Sequence, residues 1–361
     1  MESSNIPFVN LKPLRKEIKD AVKAVLERGV FMNGEFLKNF ISEYSNYLNI
    51  ANITPTANCT DALEIILRAY DIQKGDEVIT SAFSWFSDAS VVKLVGADLV
   101  FCDVDLSHFG IQVEDFKAKI TTNTKVLILP HLFGMVHPDV KEIYKICQSN
   151  NIQLIEDCAQ AHGATQNGKM AGTFGDISAF SFYPTKNLAA LGDAGCIACD
   201  SKDLAEECTL WANHGQSIRN QHHQLGRNSR MDELQAAVLL AQLPFLNIDN
   251  EKRRELADVY FQELDGLDLV LPMNYEGNVY HQFVIRTNRR DELKKYLREK
   301  GIETDIHYPM ALSDMTVFDS QVRCRNASLA SKTVLSLPIH PNHSEVEVKF
   351  VANTIHGFFT N

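Results

Sequence analysis

No stretch of this sequence approaches the ~20 consecutive apolar residues that a membrane span requires. The opening residues, MESSNIPFVNLK, also lack the charged segment and apolar run of a secretory leader. A cytoplasmic protein with no membrane partner is the expectation. Positive charge is in short supply as well, since 35 Lys and Arg stand against 46 Asp and Glu for a formal net charge of −11. Binding that tracks nucleic-acid phosphates rests on a positive surface that displaces counterions, so no nucleic-acid partner is expected, although a local basic pocket stays open. Internal repeats and low-complexity linkers are absent, and no tract outside the two ends is poor enough in apolar side chains to be disordered. The 8 cysteines are scattered, mostly inside apolar runs, and read as reduced, buried small side chains rather than a disulfide framework. Cys196 and Cys199 form a C-x-x-C in GCIACD, but that segment reads as a strand, where positions three apart face opposite sides of the sheet. A redox or metal role for the pair is set aside.

What is present is an alternation of short β-rich runs with helical patterns. DEVIT, DLVFCDV, KVLILP, IQLIED, ISAFSF and GCIACD are strand candidates, several of them continuous apolar runs of the kind found when both faces of a sheet are covered. Val140, Ile143, Tyr144 and Cys147 recur at helical spacing, as do Ala62, Leu63, Ile66 and Tyr70. The pattern predicts an α/β fold with a mainly parallel sheet and helices on both faces. MDELQAAVLLAQLPFL reads as a helix stopped near Pro244, followed by a second long helix in NEKRRELADVYFQEL. The division falls there, with a large domain and N-terminal segment over residues 1–246 and a small α+β domain over 247–361. The small domain is expected to hold a strand in YHQFVIRT, a helix in RDELKKYLREKG and a strand leading into HYP. Its last helix opens on a capping box of Ser344 and Glu347.

Several segments carry chemistry. Glu156, Asp157 and Gln160 fall at the carboxyl end of a buried strand, the place where ligands sit in open α/β sheets. Taken alone, the acidic pair reads more readily as capping or salt-bridging carboxylates at a strand-to-loop junction. Ser181 and Lys186 follow the next strand and precede a glycine-bearing loop. A lysine there can be held near-neutral by desolvation and attack a carbonyl, while a solvated surface lysine accounts for the position equally well. HGQSIRNQHHQLGRNSR gathers His214, Arg219, His222, His223, Arg227 and Arg230, but no acidic or sulfur partners stand at zinc-site spacing, so no metal is assigned. A patch meeting the carboxylates and phosphates of substrates fits better. GATQNGKM mimics a phosphate-binding loop, yet Met170 occupies the position of the magnesium-binding hydroxyl, and the segment reads as a turn.

ANCTDAL, TSAFSWFSDAS, EDCAQA, SFYPTKNLAALGDAG, HGQ, GRNSRMDELQAA and HYP occur in this order and cover most of the chain. Together they closely resemble the DegT/DnrJ/EryC1/StrS aminotransferase family of fold-type I pyridoxal 5'-phosphate (PLP) enzymes, which make amino sugars on nucleotide carriers. The resemblance implies a seven-stranded, mainly parallel sheet domain with a smaller C-terminal domain, working as a homodimer whose sites lie at the subunit interface. Lys186 then matches the Schiff-base lysine, Asp157 the carboxylate paired with the pyridine nitrogen, and Gln160 the residue against the ring face. Trp85 lies where the family places a ring-stacking aromatic, a position that by itself reads as a core tryptophan. Cys59 and Thr60 open a helix whose N–H groups and dipole suit a phosphate. Cys59 departs from the family's usual Gly or Ser and forgoes a hydroxyl contact. Ser181 matches a second phosphate ligand and Asn228 the asparagine that reaches the phosphate from the other subunit. His307 and Tyr308 resemble the sugar-nucleotide loop, with Arg219 and Arg230 as further substrate-binding residues.

The implied reaction moves an amino group from L-glutamate to a nucleotide-linked keto sugar, in amino-sugar biosynthesis for surface polysaccharide or related glycans. IPFVNLKPL, the PTKNLAALGDAG loop and the HGQ to NSR run look more like members that aminate C3 of dTDP- or UDP-linked sugars, including UDP-3-keto-N-acetylhexosamines, than like C4 members. Related sugar dehydratases replace the lysine with histidine, which Lys186 argues against. A non-catalytic PLP-binding sensor is the alternative of another class.

Overall fold

A computed structural model describes residues 5–360. Helices α1 (Lys16–Arg28) and α2 (Glu35–Leu48) come first, followed by β1 (Asn52–Thr56), α3 (Cys59–Ala69), β2 (Glu77–Ser81), α4 (Ser87–Val95) and β3 (Asp98–Cys102). The chain continues through α5 (Val113–Lys119), β4 (Thr124–Pro130), α6 (Val140–Ser149), β5 (Gln153–Asp157), a hairpin of β6 (Thr165–Gln166) and β7 (Lys169–Met170), β8 (Ile177–Ser181) and β9 (Gly195–Cys199). Then come α7 (Lys202–Ala212), a second hairpin of β10 (Gln216–Ile218) and β11 (Gln221–His222), α8 (Glu233–Gln242) and α9 (Leu246–Glu263). The C-terminal part holds β12 (Phe283–Arg286), α10 (Arg290–Glu299), α11 (Arg325–Thr333), β13 (Val334–Leu337) and α12 (Glu345–Thr360).

The seven-stranded sheet runs β1-β9-β8-β5-β4-β2-β3. Only β9 runs against its neighbours; the remaining pairings are parallel. Every residue of β8 and β9 is buried, as continuous apolar strands covered on both faces must be. One core packs Phe40 and Tyr44 of α2, Ile143 of α6 and Leu239 of α8 onto the first face. The other packs Leu63 and Ile66 of α3, Val92 of α4 and Cys208 of α7 onto the second. Cys196 belongs to the first core and Cys199 to the second, so the C-x-x-C is split across the sheet as strand alternation requires.

GATQNGKM is the β6–β7 hairpin, turned by Asn167 at φ 51° and Gly168 at φ 76°, the left-handed pair that an Asn-Gly turn supplies. A short 3₁₀ turn, Leu243–Phe245, interrupts the helix at Pro244 and leads into α9. The α12 capping box forms, with the Ser344 N–H donating to Glu347 Oε2 at 2.7 Å and the Glu347 N–H to Ser344 Oγ at 3.2 Å. The expected strand leading into HYP is corrected: it is a single bridge between Asp305 and Ser336, on the edge of β13 that β12 leaves free. The β12–β13 pair anchors a third core with α9, α10 and α12, and this core also takes in Ile6, whose backbone bridges Ile302. The N-terminal segment thus packs against the C-terminal part. A fourth core joins the two parts, packing Phe83 and Phe133 against Tyr308 and Leu312.

Candidate active site

The carboxyl ends of β5 and β8 and the N-terminus of α3 converge on a cavity of about 620 Å³. Such a crevice is where parallel sheets leave backbone groups free for ligands. Cys59, Thr60, Trp85, Asp157, Gln160, Ser181 and Lys186 all line it, as do His307 and Tyr308 from the C-terminal part.

The adjacent carboxylates part company here, because successive strand residues face opposite sides. Asp157 faces the cavity, its Oδ1 accepting the Ala159 N–H at 2.8 Å with Cys59 Sγ at 3.9 Å. Glu156 points away into full burial and accepts from four donors: the N–H groups of Gly172 (2.9 Å), Phe174 (2.6 Å) and Gly175 (2.7 Å), and His131 Nε2 (2.7 Å). The capping reading of the acidic pair describes Glu156 and fits the Asp157 bond to the Ala159 N–H as well, but of the two only Asp157 lines the cavity. His131, Glu156 and Cys158 bring metal-ligand atom types within 4.8 Å of one another, yet both carboxylate oxygens already accept from these donors.

Lys186 sits after β8, where its backbone N–H donates to Tyr183 O at 2.8 Å. The surface it retains opens into the cavity. Desolvation lowers the pKa of its ammonium, opposed first by the negative charge of Asp157. A lysine in this setting is not a solvated surface cation, and its desolvation suits attack on a carbonyl.

At the α3 end, the Asn58 side chain caps the helix by accepting the Asp61 N–H at 2.7 Å. The N–H groups of Cys59 and Thr60, in the first turn, have no intrahelical acceptors, and both residues line the cavity. Gly195 of β9 permits this approach, for a Cβ there would lie 2.5 Å from Asn58 C and 2.8 Å from Cys59 N. Ser181 Oγ stands at the end of β8, accepting the Tyr183 N–H at 3.3 Å. Gln160 is oriented at both ends, its Oε1 taking the Phe133 N–H and its Nε2 donating to Tyr308 OH, each at 2.7 Å. Burial raises the Tyr308 phenol and lowers His307 to about 4, so both are neutral near pH 7. His307 Nδ1 pairs with Ser336 Oγ at 3.0 Å. Trp85 is 59% exposed, which removes the core reading, and its ring centroid lies 6.1 Å from that of Tyr308 at the cavity wall.

Asn228, Arg219 and Arg230 do not line this chain's cavity. Asn228 is exposed and bridges Asn213 by backbone; Arg219 lies in the turn between β10 and β11; Arg230 Nη1 donates to Asn213 Oδ1 at 3.1 Å. The basic run needs one correction. Arg227 pairs with Asp61 (3.0 Å) and Glu64 (2.6 Å) of α3, which ties this segment to the helix. Sequence reasoning missed Asn58, whose place before the helix signalled a cap, and also His281 and Asp88, which no local pattern marks.

The set fits PLP: an amine nucleophile, a carboxylate for a ring nitrogen, and a helix N-terminus kept open by a glycine for a phosphate. The sequence pattern of the DegT/DnrJ/EryC1/StrS aminotransferase family matches residues 12–356. The chain belongs to that family. This aminotransferase is 38% identical over 368 residues to a protein of Acidithiobacillus ferrooxidans named UDP-N-acetyl-3-dehydro-alpha-D-glucosamine 3-aminotransferase, covering 99% of this chain and 100% of that one. It is 36% identical over 368 residues to the pleiotropic regulatory protein of Geobacillus stearothermophilus, covering 98% and 99%. Among solved structures, NtdA of Bacillus subtilis with bound cofactor PMP matches with a TM-score of 0.91 and 30% identity, over 99% of this chain and 86% of that one. Aminotransferases of this family are PLP-dependent. No helix among the described residues is long and apolar enough to cross a membrane.

Proposed function

We propose that this aminotransferase binds PLP and transfers the amino group of L-glutamate to the C3 ketone of a dTDP- or UDP-linked sugar, with a UDP-3-keto-N-acetylhexosamine the foremost candidate. The observation that carries the chemistry is the placement of desolvated Lys186 and Asp157 in one cavity with the open N-terminus of α3. The choice of C3 rests on the sequence motifs and on the name of the Acidithiobacillus relative; amination at C4 is the alternative.

When bound, PLP supplies the electron sink for the breaking donor C–H bond. Lys186 Nζ holds the cofactor and then carries the proton between donor carbon and cofactor. Asp157 keeps a proton on the pyridine nitrogen. The N–H groups of Cys59 and Thr60 and Ser181 Oγ take the phosphate. Gln160 and Trp85 position the ring, His307 and Tyr308 receive the substrate in the same chain's cavity, and Arg219 and Arg230, outside that cavity, meet substrate in the partner subunit's site. The enzyme works as a cytoplasmic homodimer in which the partner subunit's Asn228 completes the phosphate site, and the chain divides at residue 246 into a large and a small domain.

The test starts with the absorbance band of bound PLP. Glutamate should shift it, and borohydride reduction should label the peptide that contains Lys186. Single turnovers of the amine-loaded form against C3 and C4 keto sugar nucleotides then identify the acceptor. The regulatory name of the Geobacillus relative motivates the sensor reading. That reading is supported instead if PLP binds at Lys186 and glutamate leaves the band unmoved.

A further inference from the structure

Asp88, in the first turn of α4, is completely buried. Ser84 Oγ donates to its Oδ2. Its Oδ1 is buried with no donor, and its carboxyl lies within hydrogen-bond reach of Asp157. Two carboxylates this close, away from water, do not both ionise; they share one proton. Their surroundings decide which one holds it. Each accepts one donor, the Ala159 N–H for Asp157 and the Ser84 hydroxyl for Asp88, and both lie in the field of Lys186; but Asp157 lines the cavity and acts on Lys186 more strongly, whereas Asp88 is completely buried. The neutral acid is therefore Asp88, with its proton directed at Asp157.

We propose that Asp88 is a positioning residue whose protonated carboxyl donates a hydrogen bond to Asp157 and holds it as the anion that faces the cofactor's pyridine nitrogen. The proposal rests on the reading of Asp157 as that nitrogen's partner and adds the group that tunes it. A hydrogen bond donated to the Asp157 carboxylate stabilises its charged form facing the ring nitrogen, so the proton between them stays on the ring. Burial raises the Asp88 carboxyl's pKa, and the negative charge and hydrogen bond of Asp157 raise it further, against Ser84 and Lys186. The other titratable groups around the pair are Cys59 of α3 and Tyr308, both with raised pKa values and neutral.

The test uses two variants and two readouts. Asp88→Asn keeps a donor for Asp157 and an acceptor for Ser84, whereas Asp88→Ala keeps neither. With PLP labelled with ¹⁵N in the ring, the nitrogen signal should sit at the protonated position in the wild type and in Asp88→Asn, and move toward the neutral position in Asp88→Ala. A protonated wild-type nitrogen with an unmoved signal in Asp88→Ala overturns the proposal and leaves the reading of Asp157 standing. An unprotonated wild-type nitrogen overturns both. The cofactor-free protein gives the second readout and does not require the Ala variant to fold. A carboxyl whose pKa is raised on folding contributes stability that is lost as pH rises from its unfolded value toward its folded one. The urea midpoint of Asp88→Asn should therefore gain on that of the wild type between pH 5 and pH 8. A difference that stays constant with pH overturns the shared proton.

Discussion

Replacing Glu156 by glutamine exchanges one oxygen for an NH₂ group and should destabilise the protein far more than its conservative size suggests. The reason lies in the donors. Oε1 accepts from Phe174 and Gly175, and Oε2 accepts from Gly172 and His131 Nε2. His131 Nδ1 accepts the His137 N–H at 3.1 Å, so the imidazole proton is on Nε2 and His131 is a true donor. Whichever way the amide is turned, its NH₂ meets two donors, and no flip relieves the conflict. Two hydrogen bonds to a charged acceptor are lost, at ~1.5–3 kcal/mol each, for roughly 3–6 kcal/mol in all. Against a typical total of ~5–15 kcal/mol, that is a large fraction. Urea unfolding followed by far-UV circular dichroism at pH 7, on cofactor-free protein, should show the midpoint fall by about a third or more. A loss of less than ~1 kcal/mol would mean that the loop after β7 shifts to accommodate the amide, and the four-donor argument would be wrong.

Three further outcomes are expected. Gly195→Ala places a Cβ against Asn58 and Cys59 backbone and should weaken PLP binding by at least ~tenfold, about 1.4 kcal/mol, in equilibrium dialysis; unchanged affinity would show that the α3 N-terminus is not the phosphate site. Burial lowers His162 to about 4 and His137 to about 3 from 6.5. Because these folded pKa values lie below the unfolded ones, stability is full above pH 6.5 and falls with decreasing pH, by roughly 4 kcal/mol for the pair at pH 5, and a flat urea midpoint between pH 7 and pH 5 would contradict this. Mixing inactive Lys186→Ala with inactive Asn228→Asp subunits should restore one competent site per heterodimer, and verified heterodimers without activity would refute shared sites.

The strands were legible where burial on both faces writes a continuous apolar run, as in β4, β8 and β9. β1 was not, because NITPT is short, polar and contains Pro55, features that an edge strand tolerates and a propensity reading rejects. The start of α2 was equally obscure: its cap comes from Glu233, which accepts the N–H groups of Gly34, Phe36 and Leu37 from nearly two hundred residues away. The site residues at strand ends could be placed from the chain's order, since the carboxyl edge of a parallel sheet collects them whatever their spacing. Arg227 and Asp88 defeat that logic. Nothing local distinguishes an arginine held by α3 from one free for substrate, and the environment of Asp88 exists only once α4 packs on α3, β2 and β3.

The cavity's walls also bear on assembly. The N-terminus of α8 joins two segments that are far apart in sequence: Gln235 Oε1 accepts the Leu191 N–H at 2.9 Å, and the Glu233 N–H donates to Phe31 O at 3.0 Å. Leu191 follows the segment that carries Lys186, and both it and Phe31 leave apolar side chains in solvent, as does neighbouring Met32. Trp85 and Tyr183 do the same at the cavity itself. Isolated exposed apolar residues are ordinary, but a group linked through one helix end to the lysine loop marks a surface suited to a protein partner. A second subunit seated there would cover these side chains and exclude water beside Lys186. That supports the proposed homodimer on grounds independent of Asn228, and it links cofactor retention to association, because the state that binds PLP best is then the dimer.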